Sequence, residues 1–225
     1  MRGINCPESQ IRNSAWLLAV AMLGILGGRQ QVQAQEQPGT DSTAIPSSAP
    51  APEIVKVVMS TALGDLHLEI EKGRAPITAG NFLRYVDQKR FDNITFYRAM
   101  KLDEEGKYGL VQGGLRGDPR RVYPAIAHEP SAVTGLSHKD GAISMAQAKP
   151  GTATADFFII IGDLVSLDGK NTPEDPGYAV FGRVTQGMDL VRVIMAMPKS
   201  PTEGEGVMKG QMLSAPVKVN TVRRE

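Results

Sequence analysis

The chain has 225 residues, and its 25 lysine and arginine residues nearly balance 24 aspartate and glutamate residues, for a formal net charge of +1. This length allows one large domain or two small ones, and the near-neutral charge argues against a basic nucleic-acid-binding protein or an acidic tail protein. The only cysteine is Cys6, so neither an internal disulfide nor a cysteine-based zinc site can form.

An export signal is predicted at residues 1–34. A positively charged start precedes an apolar run over 15–28, and a small-residue cleavage signal ends at Ala34. The run is shorter than the roughly 20 residues that a membrane span needs. We therefore expect cleavage, export to the periplasm and no stable membrane insertion afterwards. Secretion, or an uncleaved signal that anchors the protein in the membrane, are the alternatives.

Residues 35–52 are rich in proline, serine and alanine and contain almost no large apolar side chains. Such a composition is typical of a disordered or semi-extended linker. One folded domain is expected over 53–225.

Hydrophobic alternation predicts many short strands in this domain. Leu66, Leu68 and Ile70 alternate with polar residues, and they follow a strand-like run at 54–59 across a Gly64-Asp65 turn, as in a hairpin. Further strand-like runs, separated by turn residues, occupy 95–98, 109–112, 142–146, 157–161, 179–184 and 217–222. Many short strands with turn signals favour a barrel or a sandwich.

Two segments are predicted as helices. Pro76 suits the first position of a helix that runs to about Gln88, with Ile77, Phe82 and Val86 on one face. A second helix is predicted from residue 188 to residue 197, before Pro198.

A series of short motifs in a fixed order is more specific than any one of them. The motifs are Ala75-Pro76, Asn81-Phe82, Phe96-Tyr97-Arg98, Val111-Gln112-Gly113-Gly114, Ile143-Ser144-Met145-Ala146, Phe157-Phe158, Leu167-Asp168-Gly169-Lys170 and Val180-Phe181-Gly182. From about residue 55 to residue 197 the chain resembles the cyclophilin family of peptidyl-prolyl cis-trans isomerases, in its compact bacterial form. The resemblance implies a mainly β fold, a closed eight-stranded antiparallel β-barrel capped by two α-helices.

The resemblance also assigns the central residues of a site. It implies that Arg98 donates hydrogen bonds to the substrate at the proline, and that Gln112 orients this arginine. Phe158 matches the aromatic floor of a proline pocket, and Leu110 and Leu167 match its apolar walls. Both Arg98 and Gln112 are therefore the expected catalytic residues.

Further positions of the site follow from the same resemblance. Ala146 and Gln147 match the edge segment that hydrogen-bonds an extended substrate backbone. Tyr178 stands where many eukaryotic members carry histidine, and Asp156 stands where glutamine is usual. Asp156 is expected either to pair with Arg98 and hold it, or to draw it away from the substrate.

Three departures from the family pattern affect the expected groove. Gly109 replaces an aromatic residue, so one pocket wall is missing unless Tyr108 fills the space. The polar segments 101–107 and 171–177 look like insertions.

The predicted function is a prolyl isomerase that assists the folding of exported proteins and acts on proline-containing unfolded or extended polypeptides. The alternative is a non-catalytic proline-peptide-binding chaperone or scaffold that uses the same groove. No metal, cofactor or nucleic acid is expected, because the sequence offers neither metal-ligand spacing nor a nucleotide-binding fingerprint. A monomer is expected.

Overall fold

The computed structural model describes residues 53–225, so the predicted signal at 1–34 and linker at 35–52 lie outside the described residues. Eight strands close into one antiparallel barrel, in the order β1-β2-β7-β5-β6-β4-β3-β8. The strands are β1 Ile54–Thr61, β2 Gly64–Glu71, β3 Ile94–Lys101, β4 Gly109–Gly114, β5 Ala142–Met145, β6 Phe157–Ile161, β7 Val180–Gln186 and β8 Met212–Arg224. The predicted barrel is confirmed.

Each predicted strand overlaps one of these eight strands, and the predicted β1–β2 hairpin is confirmed by the pairing of Thr61 with Gly64. The largest difference is at β8, which begins five residues earlier than predicted, at Met212 rather than at Val217. Its first half pairs with β3 and its second half pairs with β1, so this one strand closes the barrel.

Within residues 53–225 the structure contains three α-helices, where two were predicted, and two short 3-10 helices, Val165–Asp168 and Gly206–Met208. The two predicted helices are α1 Pro76–Asp87 and α3 Met188–Ala196, and the additional one is α2 Ser131–Thr134. Four residues are too few to leave a periodic hydrophobic pattern, so α2 gave no signal in the sequence. Within the same residues, no helix is both long and apolar enough to cross a membrane.

Aromatic side chains join α1 to the barrel interior. The ring centroid of Phe82 lies 5.7 Å from that of Phe157 on β6 and 5.1 Å from that of Phe181 on β7. Ile77, which was predicted on the same face as Phe82, is instead 45% exposed. Because successive strand residues face opposite sides, Phe157 points into the barrel and Phe158 points outwards. The outer face of β6 therefore belongs to the surface on which the candidate site is built.

Candidate active site

A bulge in β3 brings Arg98 to the outer face of the barrel. In the pairing with β4, Phe96 lies opposite Gly113 and Arg98 lies opposite Gln112, so Tyr97 has no partner. The register with β8 shifts at the same place. Phe96 and Ala99 are fully buried in the core. The extra residue thus lets Tyr97 and Arg98 both face outwards between two inward-facing neighbours.

Two glutamines hold the guanidinium of Arg98. Its Nη1 donates to Gln112 Oε1 at 2.6 Å, and its Nε and Nη2 donate to Gln211 Oε1 at 2.8 and 2.6 Å. Gln112 in turn donates from Nε2 to the hydroxyl of Tyr97 at 2.8 Å. Gln112 therefore holds one terminal nitrogen of the Arg98 guanidinium, and its own amide is fixed from behind by Tyr97.

The side chain of Arg98 is half-buried at the edge of the site. None of the ion pairs formed within residues 53–225 includes it. Burial lowers its pKa, but a guanidinium stays protonated in proteins. A guanidinium has five N–H donors and the two glutamines accept from three, which leaves one N–H on Nη1 and one on Nη2. A single weak contact, 3.9 Å from Nη2 to the sulfur of Met100, is the other protein contact of these nitrogens.

All nine residues predicted for the site border one cavity of about 490 Å³. Five other residues, which were not predicted, complete its lining. The predicted nine are Arg98, Leu110, Gln112, Ala146, Gln147, Asp156, Phe158, Leu167 and Tyr178, and the other five are Met100, Ala148, Thr152, Thr154 and Met208.

The apolar floor of the cavity is Phe158, which β6 places opposite Gln112 on β4. Its ring is 4% exposed, and Tyr178 meets it edge-on with the centroids 5.5 Å apart. Leu110 and Leu167 add aliphatic surface on either side. The result is a concave apolar surface with one cation at its rim, which suits a small ring attached to a polar backbone.

His138 supports this floor from behind, although nothing in the sequence indicated it. It is fully buried, and its ring stacks on Phe158 at an interplanar angle of 13°. One ring nitrogen lies 2.5 Å from Asp168 Oδ1, and the other lies 2.9 Å from the Ser144 hydroxyl. Burial lowers the pKa of His138, even though hydrogen bonding to Asp168 acts in the opposite direction. The buried histidine therefore links its own loop to the 3-10 helix that ends at Asp168 and to Ser144 on β5.

Asp156 forms neither a hydrogen bond nor an ion pair with Arg98, so the structure shows neither of its two expected roles. Its Oδ1 accepts a hydrogen bond from the backbone N–H of Arg116 at 2.9 Å. Burial raises its pKa, while hydrogen bonds from the backbone act to lower it. The carboxylate of Asp156 fits beside Gly114, at φ +140, only because glycine has no side chain. A Cβ on residue 114 would collide with Asp156. Asp156 thus fixes the loop after β4. The guanidinium of Arg98 is held by Gln112 and Gln211 instead.

Gly109 cannot be replaced by an aromatic residue without moving its surroundings. A Cβ on Gly109 would lie 2.6 Å from the sulfur of Met195 and would meet the carbonyl oxygen of Met100. Tyr108 does not fill the missing place, since it is 44% exposed and does not border the cavity. Instead Met100 and Met208 line the cavity beside Arg98.

The two expected insertions form ordered turns. In the first, the carboxylate of Asp103 accepts from the backbone N–H groups of Lys107 and Tyr108 at 3.1 and 3.0 Å. In the second, the carbonyl of Gly177 accepts a hydrogen bond from Gln147 Nε2 at 3.2 Å. The second turn thus fixes a side chain of the cavity, whereas the first does not border it.

Comparison with known proteins identifies the family of this chain. A family model described as "Cyclophilin type peptidyl-prolyl cis-trans isomerase/CLD" matches residues 55–222. A peptidyl-prolyl cis-trans isomerase of Acinetobacter baylyi is 33% identical over 168 residues, which are 74% of this chain and 84% of the relative. One of Streptomyces antibioticus is 33% identical over 150 residues, which are 66% of this chain and 87% of the relative.

Solved structures agree on the fold. A cyclophilin type peptidyl-prolyl cis-trans isomerase of Cryptosporidium parvum superposes with a TM-score of 0.57 at 20% sequence identity, over 77% of this chain and 98% of its own. A structure of that protein in the presence of the dipeptide ala-pro gives a TM-score of 0.56 at 21% identity, over 76% and 98%.

Proposed function

This chain belongs to the cyclophilin family and is a peptidyl-prolyl cis-trans isomerase, and we propose that Arg98 and Gln112 catalyse the isomerisation of exported polypeptides. The observation that carries the proposal is the guanidinium of Arg98 at the rim of an apolar cavity, where two of its N–H donors meet no oxygen acceptor among residues 53–225. The mechanism follows from what hinders rotation about an Xaa–Pro bond.

Amide resonance sets the rotational barrier, which is about 18–20 kcal/mol. In the twisted amide the nitrogen regains its lone pair and becomes a hydrogen-bond acceptor. A donor that meets this nitrogen therefore binds the twisted state better than either planar isomer. Each preferential stabilisation of about 1.4 kcal/mol accelerates rotation tenfold. No covalent bond breaks, so a permanently charged donor is sufficient.

Arg98 fits this role because no carboxylate among residues 53–225 pairs with it and neutralises its charge. Glutamine oxygens hold the guanidinium without cancelling its charge, and partial burial strengthens its electrostatic effect on a bound amide. Phe158 and Leu110 would receive the proline ring, with Leu167 and Tyr178 beside them.

The segment after β5 would hold the rest of the peptide. Ala146 donates its backbone N–H to the backbone carbonyl of Asp156 at 2.9 Å, so this N–H is already engaged. Among residues 53–225, no hydrogen-bond partner takes the backbone N–H or the C=O of Gln147, which borders the cavity. Both groups could pair with an extended substrate in the manner of an added strand. Because main-chain pairing does not depend on the side chains, it would bind many sequences and would favour unfolded, proline-containing polypeptides as substrates.

Export is supported by residues 1–34, whose pattern is that of a cleavable signal. We expect the mature protein to begin at Gln35, to reside in the periplasm as a monomer and to assist the folding of other exported proteins. Mass spectrometry of the protein recovered from periplasmic, membrane and cytoplasmic fractions tests the cleavage and the location. Full-length mass in the membrane fraction would indicate an uncleaved anchor instead.

Exchange spectroscopy by NMR on an Ala-Pro peptide tests the activity and its central residue together. We expect fast cis–trans exchange with the purified protein and loss of most of that acceleration with Arg98→Ala. Acceleration that survives the substitution would keep the activity and discard the arginine mechanism. Peptide binding without acceleration by the unaltered protein would favour the chaperone alternative.

A further inference from the structure

The segment from Ser200 to Gln211, here called the C-terminal lobe, lies between α3 and β8 against the candidate site. The backbone N–H of Ser200 donates to the carbonyl of Met212 at 2.8 Å, which ties the two ends of the lobe together. Within it, Gly210 donates to the carbonyl of Glu203 at 3.0 Å. Met208 borders the cavity, so the lobe contributes directly to the wall beside Arg98.

Gln211 is fixed in place by three hydrogen bonds that do not involve Arg98. Its carbonyl accepts from the backbone N–H of Ala99, the residue after Arg98, at 3.0 Å. Its own backbone N–H donates to Met208 at 3.1 Å, and its side-chain Nε2 donates to the carbonyl of Val207 at 2.8 Å. Because Nε2 is committed to Val207, the amide is oriented with Oε1 towards the guanidinium.

We propose that Gln211 is a positioning residue for the isomerisation, an inference that rests on the proposed role of Arg98. Gln112 alone accepts only from Nη1, so the guanidinium could still swing about that single contact. Gln211 accepts from Nε and Nη2, on the other edge of the same plane. The two glutamines together fix the plane and leave one N–H on each terminal nitrogen for the substrate.

The chemistry of the holder matters as well as its position. A carboxylate at the same place would also accept from Nε and Nη2 of Arg98, but it would lose the bond to Val207 and would neutralise the cation that acts on the substrate amide. An amide oxygen orients the donors without a net charge. Gln211 thus positions the arginine, although its segment carries no family motif and the residue lies 113 positions from Arg98 along the chain.

The test uses three variants of the whole protein. Gln211→Met keeps the side-chain length and removes the acceptor, Gln211→Glu keeps an acceptor oxygen, and Lys209→Ala changes an exposed residue of the same lobe as the control. Two readouts are measured, the kinetics of Ala-Pro peptide exchange and the NMR signal of the Arg98 Nε–H group. The signal is assigned by its loss in Arg98→Lys, and it reports directly on the bond to Gln211.

We expect Gln211→Met to lower kcat/KM about tenfold, mainly through kcat, and to shift and broaden the Nε–H signal. A misdirected donor weakens an interaction made in the twisted state, and so KM changes by less than twofold. Gln211→Glu should retain the Nε–H signal but remain below the wild type in kcat/KM, because its carboxylate neutralises the cation. Lys209→Ala should match the wild type in both readouts.

The proposal is overturned if Gln211→Met keeps kcat/KM within twofold of the wild type, or if it raises KM alone. It is also overturned if the glutamate variant recovers neither readout, because the effect would then come from packing of the lobe. A wild-type protein without isomerase activity would contradict the proposed function instead. In that event the Nε–H signal still decides whether Gln211 orients Arg98.

Discussion

Replacing Arg98 by lysine separates the charge of this side chain from the shape of its donor fork. Arginine has five N–H donors, of which the two glutamines use three, so two remain for a substrate. A lysine ammonium has three donors, and if each glutamine oxygen takes one, a single donor remains. The variant therefore loses one charge-assisted hydrogen bond to the substrate, worth about 1.5–3 kcal/mol. We expect kcat/KM to fall about 10- to 150-fold.

The assay is NMR exchange spectroscopy of an Ala-Pro peptide, with Arg183→Lys as the matched control. Arg183 lies on β7 and is 61% exposed in its ion pair with Glu69, and it does not border the cavity. Such a surface pair contributes at most about 1 kcal/mol, so the control should keep full activity. Equal activity in Arg98→Lys and the wild type would refute the argument, since it would mean that a point charge suffices and the fork has no role.

Two further predictions concern stability. Gly109→Ala should lower the free energy of unfolding in urea by about 1–3 kcal/mol, because the added Cβ meets the sulfur of Met195. Gly80→Ala in α1, where a Cβ meets nothing within 4 Å, should be neutral or stabilising, and equal effects of the two changes would contradict the packing argument. Lowering the pH from 7 to 5 should also reduce stability, because His138 is buried with a lowered pKa while the unfolded chain takes up the proton near 6.5. The free energy of unfolding should fall by at most about 1.4 kcal/mol per pH unit. If it depends on pH in the same way in His138→Asn, His138 is not the group responsible. Activity should stay flat from pH 6 to 8, since Arg98 remains charged throughout.

Alternation along the strands explains why the strand segments could be predicted from the sequence. Leu66, Leu68 and Ile70 are almost fully buried on β2, as their period of two requires. Periodicity assigns faces but not partners, so closure of the barrel came only from the family resemblance. The long β8 extended beyond its predicted range because pairing with β3 at Met212 is a tertiary contact.

The same distinction applies to the site. Arg98, Gln112 and Phe158 lie in recognisable motifs on adjacent strands, and the register brings them together. Gln211 was missed because its segment has no motif and its contact depends on how the lobe folds. His138 was missed because its role depends on burial against Asp168 and Phe158.

One local feature of β3 decides whether this barrel has a site at all. In an uninterrupted strand, Phe96 and Arg98 would face the same side, and Arg98 would point into the core. Placing an unpaired cation there would cost several kcal/mol after relaxation. The bulge at Tyr97 reverses the alternation for one residue, so that Phe96 and Ala99 fill the interior while Arg98 emerges beside Gln112. Because the register shifts against both β4 and β8, the bulge is held from both sides. Arg98 therefore lies on a strand of the barrel wall, which fixes its position more precisely than a loop would.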